Sequence, residues 1–223
     1  MLNKDLHRQK MYEILQDIFS WELWKYLAFK WWTACYFFHW LDRFSTDLDF
    51  DLIKSDEIID DKLDKILGNY WKVKKWKFNI VLSYWVTDMN IKIDINRKIW
   101  KNNWYETLNF YGTNILVQDK STIFANKLVA LTERNTNRDI YDVYFFFKNN
   151  FDINDDIIIE RTWKTKNELF EQIILKLKWL STNYKILDWL WEVLKDEKHK
   201  SFVKTKLIKE LISLLEFKIN FEN

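Results

Sequence analysis

This chain has very few of the residues that ordinarily let a backbone turn. Two glycines and no proline serve 223 residues, although average glycine usage is about 7%, or roughly 15 in a chain this long. Tight turns and close backbone approaches rely on glycine because it alone lacks a Cβ. In its place stand fourteen tryptophans, which together with the two glycines nearly restore the expected number. They also fall where glycine belongs. Trp31 and Trp32 are doubled after a short apolar segment, Trp71, Trp76 and Trp85 lie between short elements, and Trp104 follows Asn103. This is the pattern left by a UGA codon written as tryptophan but read as glycine in the source cell. The competing reading is a chain truly rich in tryptophan, with Trp31 and Trp32 in an aromatic core.

Bulk properties exclude several classes. Lysine and arginine total 35 against 33 acidic residues, a net charge of +2, so charge alone does not announce a nucleic-acid binder. A single cysteine, Cys35, excludes an internal disulfide and fits a reducing compartment. The first ten residues are charged and lack an apolar signal core. No apolar run reaches the roughly 18 residues that a membrane span needs, and a cytoplasmic location is expected. His7, His39 and His199 are scattered and form no metal-ligand spacing.

Hydrophobic periodicity gives a coarse architecture. Helices are predicted over 6–19, 33–41 and 56–67, then over 121–134, 138–149, 166–180 and 199–217. Strands are predicted over 26–30, 48–53, 78–86 and 91–96, the last two as a hairpin, with more strand over 105–117. The expected fold is therefore α/β (α+β): a mixed sheet in a core over 1–120, followed by a helical region over 121–223.

Chemistry concentrates in the alternating run Asp47-Leu48-Asp49-Phe50-Asp51-Leu52. On a strand the carboxylates share one face and the apolar residues enter the core. Carboxylates held close on a rigid strand repel unless a cation neutralises them, and hard oxygen ligands suit Mg²⁺. In Ile91-Lys92-Ile93-Asp94-Ile95-Asn96 the same alternation presents Asp94. Beside Asp47 and Asp49 it would complete a two-metal site for phosphoryl or nucleotidyl transfer, and it could take the proton of an attacking hydroxyl. The plain alternative is the solvated face of an edge strand.

The order of motifs adjudicates. Trp31-Trp32-Thr33-Ala34 follows the first strand, and Arg43-Phe44-Ser45-Thr46-Asp47-Leu48-Asp49-Phe50 follows the second helix. Lys92-Ile93-Asp94-Ile95, Lys127-Leu128-Val129-Ala130-Leu131 with Arg134, and Arg138-Asp139-Ile140-Tyr141-Asp142 come later. In these segments the chain resembles the minimal nucleotidyltransferases of the DNA polymerase β superfamily, and more closely the AbiEii/AbiGii-type toxins of abortive-infection and toxin–antitoxin systems. That family has Gly-Gly or Gly-Ser where this chain has Trp31-Trp32, and Trp40 likewise falls at a family glycine.

The resemblance implies an NTP-dependent, Mg²⁺-dependent nucleotidyltransferase using two ions. It also implies a tRNA or other RNA acceptor and a separately encoded antitoxin. It implies catalytic roles for Asp47, Asp49, Asp94, Lys127, Asp139 and Asp142, with the metals on Asp47, Asp49 and Asp94. Nucleotide contacts are expected from Trp31, Trp32 (as glycines), Thr33, Arg43, Ser45 and Arg138. From spacing alone, Lys127 and Arg134 share a helix face, and Arg138 and Asp142 could pair within a turn. Surface charge is the bland reading for Arg43 and Arg134. The rival functions are the same fold acting on an antibiotic or protein hydroxyl, and a non-catalytic binding protein whose pocket Trp31 and Trp32 block.

Overall fold

A computed structural model describes residues 3–20, 22–54, 59–70, 72–75, 79–83, 90–180 and 184–221. Its chain separates into two compact units. One comprises residues 1–40, 44–99 and 104–119, the other residues 41–43, 100–103 and 120–223.

The first unit is built on a seven-stranded sheet in the order β3-β4-β5-β2-β1-β7-β6. Its strands are β1 (Leu27–Lys30), β2 (Asp47–Leu52), β3 (Lys72–Lys75), β4 (Asn79–Ser83), β5 (Asn90–Asn96), β6 (Tyr105–Phe110) and β7 (Thr113–Gln118). The pairs β2–β5 and β1–β7 are parallel and the others antiparallel, so the sheet is mixed as expected. Leu48, Phe50, Ile91 and Ile93 are fully buried, which is the apolar half of the two-residue alternation turned into the core. The expected hairpin is present: β4 and β5 pair antiparallel, with Asn79 opposite Asp94. Residue 78, residues 84–86 at the end of the first predicted strand and residues 87–89 of the expected turn lie outside the described residues.

Three helices complete this unit: α1 (Lys4–Ser20), α2 (Trp31–Phe38) and α3 (Ile59–Leu67). Met11, Ile14, Leu15 and Ile18 form the buried stripe of α1, at the spacing that made the helix legible. Ile59, Leu63, Ile66 and Leu67 do the same for α3, with Asp60 and Asp61 in its first turn, where acids complement the helix dipole. Residues 56–58 of the predicted third helix lie outside the described residues. Two boundaries differ from expectation. Helix α2 begins at Trp31, directly on the end of β1, and stops at Phe38. Strand β3 was not expected, because Lys-Val-Lys-Lys carries little apolar alternation.

The second unit is helical: α4 (Lys120–Glu133), α5 (Asn137–Lys148), α6 (Asp155–Thr162), α7 (Lys166–Leu180), α8 (Glu197–Thr205) and α9 (Leu207–Phe221). Helix α4 packs on α5, α6 and α7, while α9 packs on α5, α7 and α8. Ten consecutive α4 residues from Thr122 to Leu131 are buried, so this helix is the unit's centre. The single helix predicted over 199–217 is instead two. Asp196 caps α8 by accepting from the His199 N–H at 2.9 Å, and the chain leaves helical geometry at Lys206. The break aligns Leu207, Leu211 and Leu215 as one buried stripe on α9. Helix α6 was not expected. Its Asn154 cap accepts from the Ile157 N–H, and its apolar run, Ile157 to Ile159, spans less than one turn, too short to show helical periodicity.

Candidate active site

The carboxylate face of the first unit is set by register. Strand β2 is interior, parallel to β5 and antiparallel to β1. In the parallel ladder Asp47 lies opposite Lys92, Asp49 opposite Asp94, and Asp51 opposite Asn96. Asp47, Asp49 and Asp94 are half-buried. The three acids expected to hold metal therefore occupy one face of two adjacent strands, and they do not belong to an edge strand.

Among the described residues no three acidic, histidine or cysteine side chains close in as a ligand set. At Asp94, Oδ2 lies 3.0 Å from Nζ of Lys92. Burial works against the charge of Lys92, yet the hydrogen bond to Asp94 and the fields of Asp94, Asp47 and Asp49 raise its pKa. An ammonium thus stands where the combined negative field of three carboxylates is felt. Hard oxygen donors around a position already favourable to positive charge suit Mg²⁺ in kind.

Asp51 departs from its two companions. Its carboxylate is buried and accepts from Lys30 Nζ at 2.7 Å, Asn96 Nδ2 at 2.9 Å, Tyr105 OH at 3.0 Å and Gln118 Nε2 at 3.3 Å. These donors come from β1, β5, β6 and β7, so one carboxylate ties four strands to β2. A buried charge is tolerated only when paired and fully hydrogen-bonded, and Asp51 meets both conditions.

The backbone entering β2 is also held by side chains. Nε2 of His7, on α1, donates to the Thr46 carbonyl at 2.9 Å. Thr33, on α2, donates from Oγ1 to the Asp47 carbonyl and sits 2.8 Å from Ser45 Oγ. The His7 ring packs edge-on against Phe44. Burial lowers the His7 pKa, outweighing the Thr46 carbonyl and Asp47, so the ring is neutral. Thr33 and Ser45, expected on phosphate, are buried and bonded to one another. Trp31 occupies the turn from β1 into α2 with its ring 4.9 Å from Lys30 Nζ, and Trp32 is buried.

In the second unit the Lys127 and Arg-Asp-x-x-Asp motifs meet in one ion-pair network. Lys127 Nζ lies 2.8 Å from Asp139 Oδ1, and Arg134 Nε lies 2.7 Å from Asp139 Oδ2. Arg43 grips Asp142 with both Nε and an Nη at 2.7 Å. Such bidentate pairing is the strong form of the Arg–carboxylate contact. Lys127, Asp139 and Asp142 are fully buried. Burial pulls the Lys127 ammonium down to about 8, against the attraction of Asp139 and Asp142. It pushes Asp142 up to about 6, against Arg43. Burial also opposes ionisation of Asp139, but Lys127 and Arg134 overcome it and lower its pKa.

Two expectations change here. Arg43 was expected on a triphosphate or at the surface; its side chain is buried and committed to Asp142. Asp142 was considered as the partner of Arg138 within α5, whereas its two oxygens accept from Arg43. Arg138 itself is half-buried on α5. Arg134, read blandly as surface charge, is 43% exposed but engages Asp139. His7, Lys30 and Lys92 were not singled out. His7 and Lys30 act over 39 and 21 residues of chain, which no local spacing reveals. Among the described residues no helix is long and apolar enough to cross a membrane.

Comparison with known proteins bears on this arrangement. The chain is similar over 96% of its length to the solved structure of MenT4, a nucleotidyltransferase toxin from Mycobacterium tuberculosis H37Rv, with 84% of that chain covered, 15% identity and a TM-score of 0.63. It is similar over 98% of its length to JHP933 from Helicobacter pylori, with 95% of that chain covered, 18% identity and a TM-score of 0.56. No curated protein sequence matches. Residues 33–208 match the family described as nucleotidyl transferase AbiEii toxin of type IV toxin–antitoxin systems. With its mixed sheet, its two-strand carboxylate face and its Lys and Arg-Asp-x-x-Asp motifs in one network, this chain belongs to the AbiEii nucleotidyltransferase toxin family.

Proposed function

We propose that this enzyme transfers a nucleoside monophosphate from an NTP to the 3′ end of a tRNA, and that a separately encoded antitoxin restrains it in the cytoplasm. The observation that carries the transfer chemistry is the pairing of Asp49 with Asp94 in the β2–β5 register, with Asp47 on the same face. The type IV toxin–antitoxin description of the family supports the antitoxin.

In this reading Asp47, Asp49 and Asp94 would hold two Mg²⁺ ions, which supply charge neutralisation on the phosphate oxygens. The Lys92 ammonium beside Asp94 marks where such a positive charge would be held. The acceptor hydroxyl oxygen attacks the α-phosphorus and forms a new P–O bond. The bond from that phosphorus to the bridging oxygen breaks, and pyrophosphate leaves with the electron pair. Asp94 takes the hydroxyl proton, a role open to a carboxylate within hydrogen-bond reach. His7 and Thr33 keep the backbone at residues 46 and 47 fixed, so that the carboxylates are positioned before substrate arrives.

The turn holding Trp31 and Trp32 leads into a helix N-terminus, where backbone N–H groups and the dipole favour phosphate. Glycine at both positions lets a triphosphate approach, with Thr33 and Ser45 lining the entry to β2. In the second unit, Lys127, Asp139 and Asp142 maintain the buried network. Arg134 is its exposed cation and Arg138 flanks it; these are the groups we assign to nucleotide or acceptor phosphates.

The test is transfer of label from each NTP to total tRNA. It compares the chain as written, a form with glycine at the tryptophan positions, and that form carrying Asp47→Ala and Asp49→Ala. Transfer by the glycine form and its loss in the double variant is the expected result. Folded glycine-form protein that labels no RNA in the presence of Mg²⁺ overturns the tRNA reading. Labelling of a protein or aminoglycoside in its place would move the assignment to that acceptor.

A further inference from the structure

Six non-glycine residues among those described have a left-handed backbone, and four of them are tryptophan: Trp31 (φ 62), Trp40 (φ 57), Trp163 (φ 59) and Trp189 (φ 65). Only a few per cent of non-glycine residues adopt positive φ, and those are mostly Asn, Asp or His. A bulky side chain there places its Cβ against the following carbonyl, which is why the region is left to glycine. One of the chain's two glycines, Gly112 (φ 87), holds such a backbone, following Tyr111 in the β6–β7 turn.

The sites are ones where glycine has a known purpose. Trp163 ends α6 in the left-handed conformation, with its N–H bonded to the Ile159 carbonyl at 2.9 Å. That is the helix-terminating arrangement in which glycine dominates. Trp40 lies just past the end of α2. Trp31 turns the chain from β1 straight into α2. Trp189 sits within the turn over 186–193.

A strained backbone persists when packing over-determines it. Here packing offers nothing comparable: Trp40 and Trp163 are each 90% exposed and Trp189 is 81% exposed. A large apolar side chain held in water on a disfavoured backbone gains neither burial nor local preference. Glycine at the same positions removes both conflicts.

We infer that the native residue at Trp31, Trp40, Trp163 and Trp189 is glycine, inserted by the source cell at a codon written here as tryptophan. The assignment stands on backbone geometry at all four positions and on exposure at Trp40, Trp163 and Trp189, independent of the reaction catalysed.

Two measurements test it. Peptide mass spectrometry of the protein purified from its source cell should give glycine at all four positions; tryptophan at any of them overturns the inference there. Separately, thermal unfolding compares the chain as written with the quadruple Trp→Gly variant. Relief of four left-handed positions should raise Tm by roughly 10 °C. A quadruple variant no more stable than the chain as written would show that these backbones do not call for glycine.

Discussion

Asp49 and Asp94 lie directly opposite one another across the parallel β2–β5 pair, each half-buried on the same sheet face. Like charges so placed weaken a sheet, so the arrangement is a cost to folding that a cationic ligand would repay. Asp49→Asn and Asp94→Asn are therefore expected to leave stability within about 1 kcal/mol of the parent. Nucleotide transfer should fall by at least about 100-fold, since even outer-sphere metal partners are worth 10–100-fold. Paired urea denaturation and transfer rates check both halves; a large loss of stability with activity retained would reverse the assignment.

Asp51, two residues along the same face, should behave in the opposite way. Asp51→Ala leaves the buried Lys30 ammonium without its carboxylate and removes the acceptor shared by Asn96, Tyr105 and Gln118. Breaking a buried pair on one side costs about 3–5 kcal/mol. Urea denaturation of Asp51→Ala against Asp49→Ala measures the contrast; equal losses from the two would contradict it.

Lys127 gives the second unit a signature at high pH. Burial is the main cause of its fall from an ordinary 10.5 to about 8. Between those values the unfolded chain holds a proton that the folded protein does not, so stability rises with pH across the window. Below about 8 both states are protonated and the contribution is constant. Lys127→Met should abolish this rise and lower stability at pH 7, towards the smaller end of about 3–5 kcal/mol because Arg134 still answers Asp139. Unfolding free energies from pH 7 to 10, parent against variant, decide the matter.

At low pH the corresponding group is His7. Burial lowers its pKa from an ordinary 6.5, so the unfolded chain takes up a proton that the folded ring refuses. Stability therefore drops as pH falls through about 6.5 and goes on dropping until the folded ring titrates. His7→Gln keeps an N–H for the Thr46 carbonyl and should flatten this limb between pH 5 and 7. The same steepness in parent and variant would assign the limb to other groups.

The alternation of Asp47 to Leu52 was readable because a strand repeats every two residues, and burial of Leu48 and Phe50 follows it. The same alternation made Asp47, Asp49 and Asp51 look alike. What separates Asp51 is its ring of donors on four other strands, a property of tertiary placement. The Arg43–Asp142 pair was hidden for the same reason, its members being 99 residues apart. Strand β3 escaped because Lys-Val-Lys-Lys reads as polar loop. The α8–α9 break escaped because both halves share a helical period; it is set by which leucines α9 must bury.

The left-handed turn at Trp31 has a consequence for inheritance. If glycine there comes from a reassigned UGA, a ribosome that reads the triplet as a stop releases the chain no later than Lys30. That product contains at most α1 and β1, and none of Asp47, Asp49, Asp94 or the helices α4 to α9. A gene of this kind is lethal only in its own dialect. Carried into a cell with the standard code, such a gene would yield a fragment without the carboxylate face, and its toxicity would be confined to hosts that share its translation table.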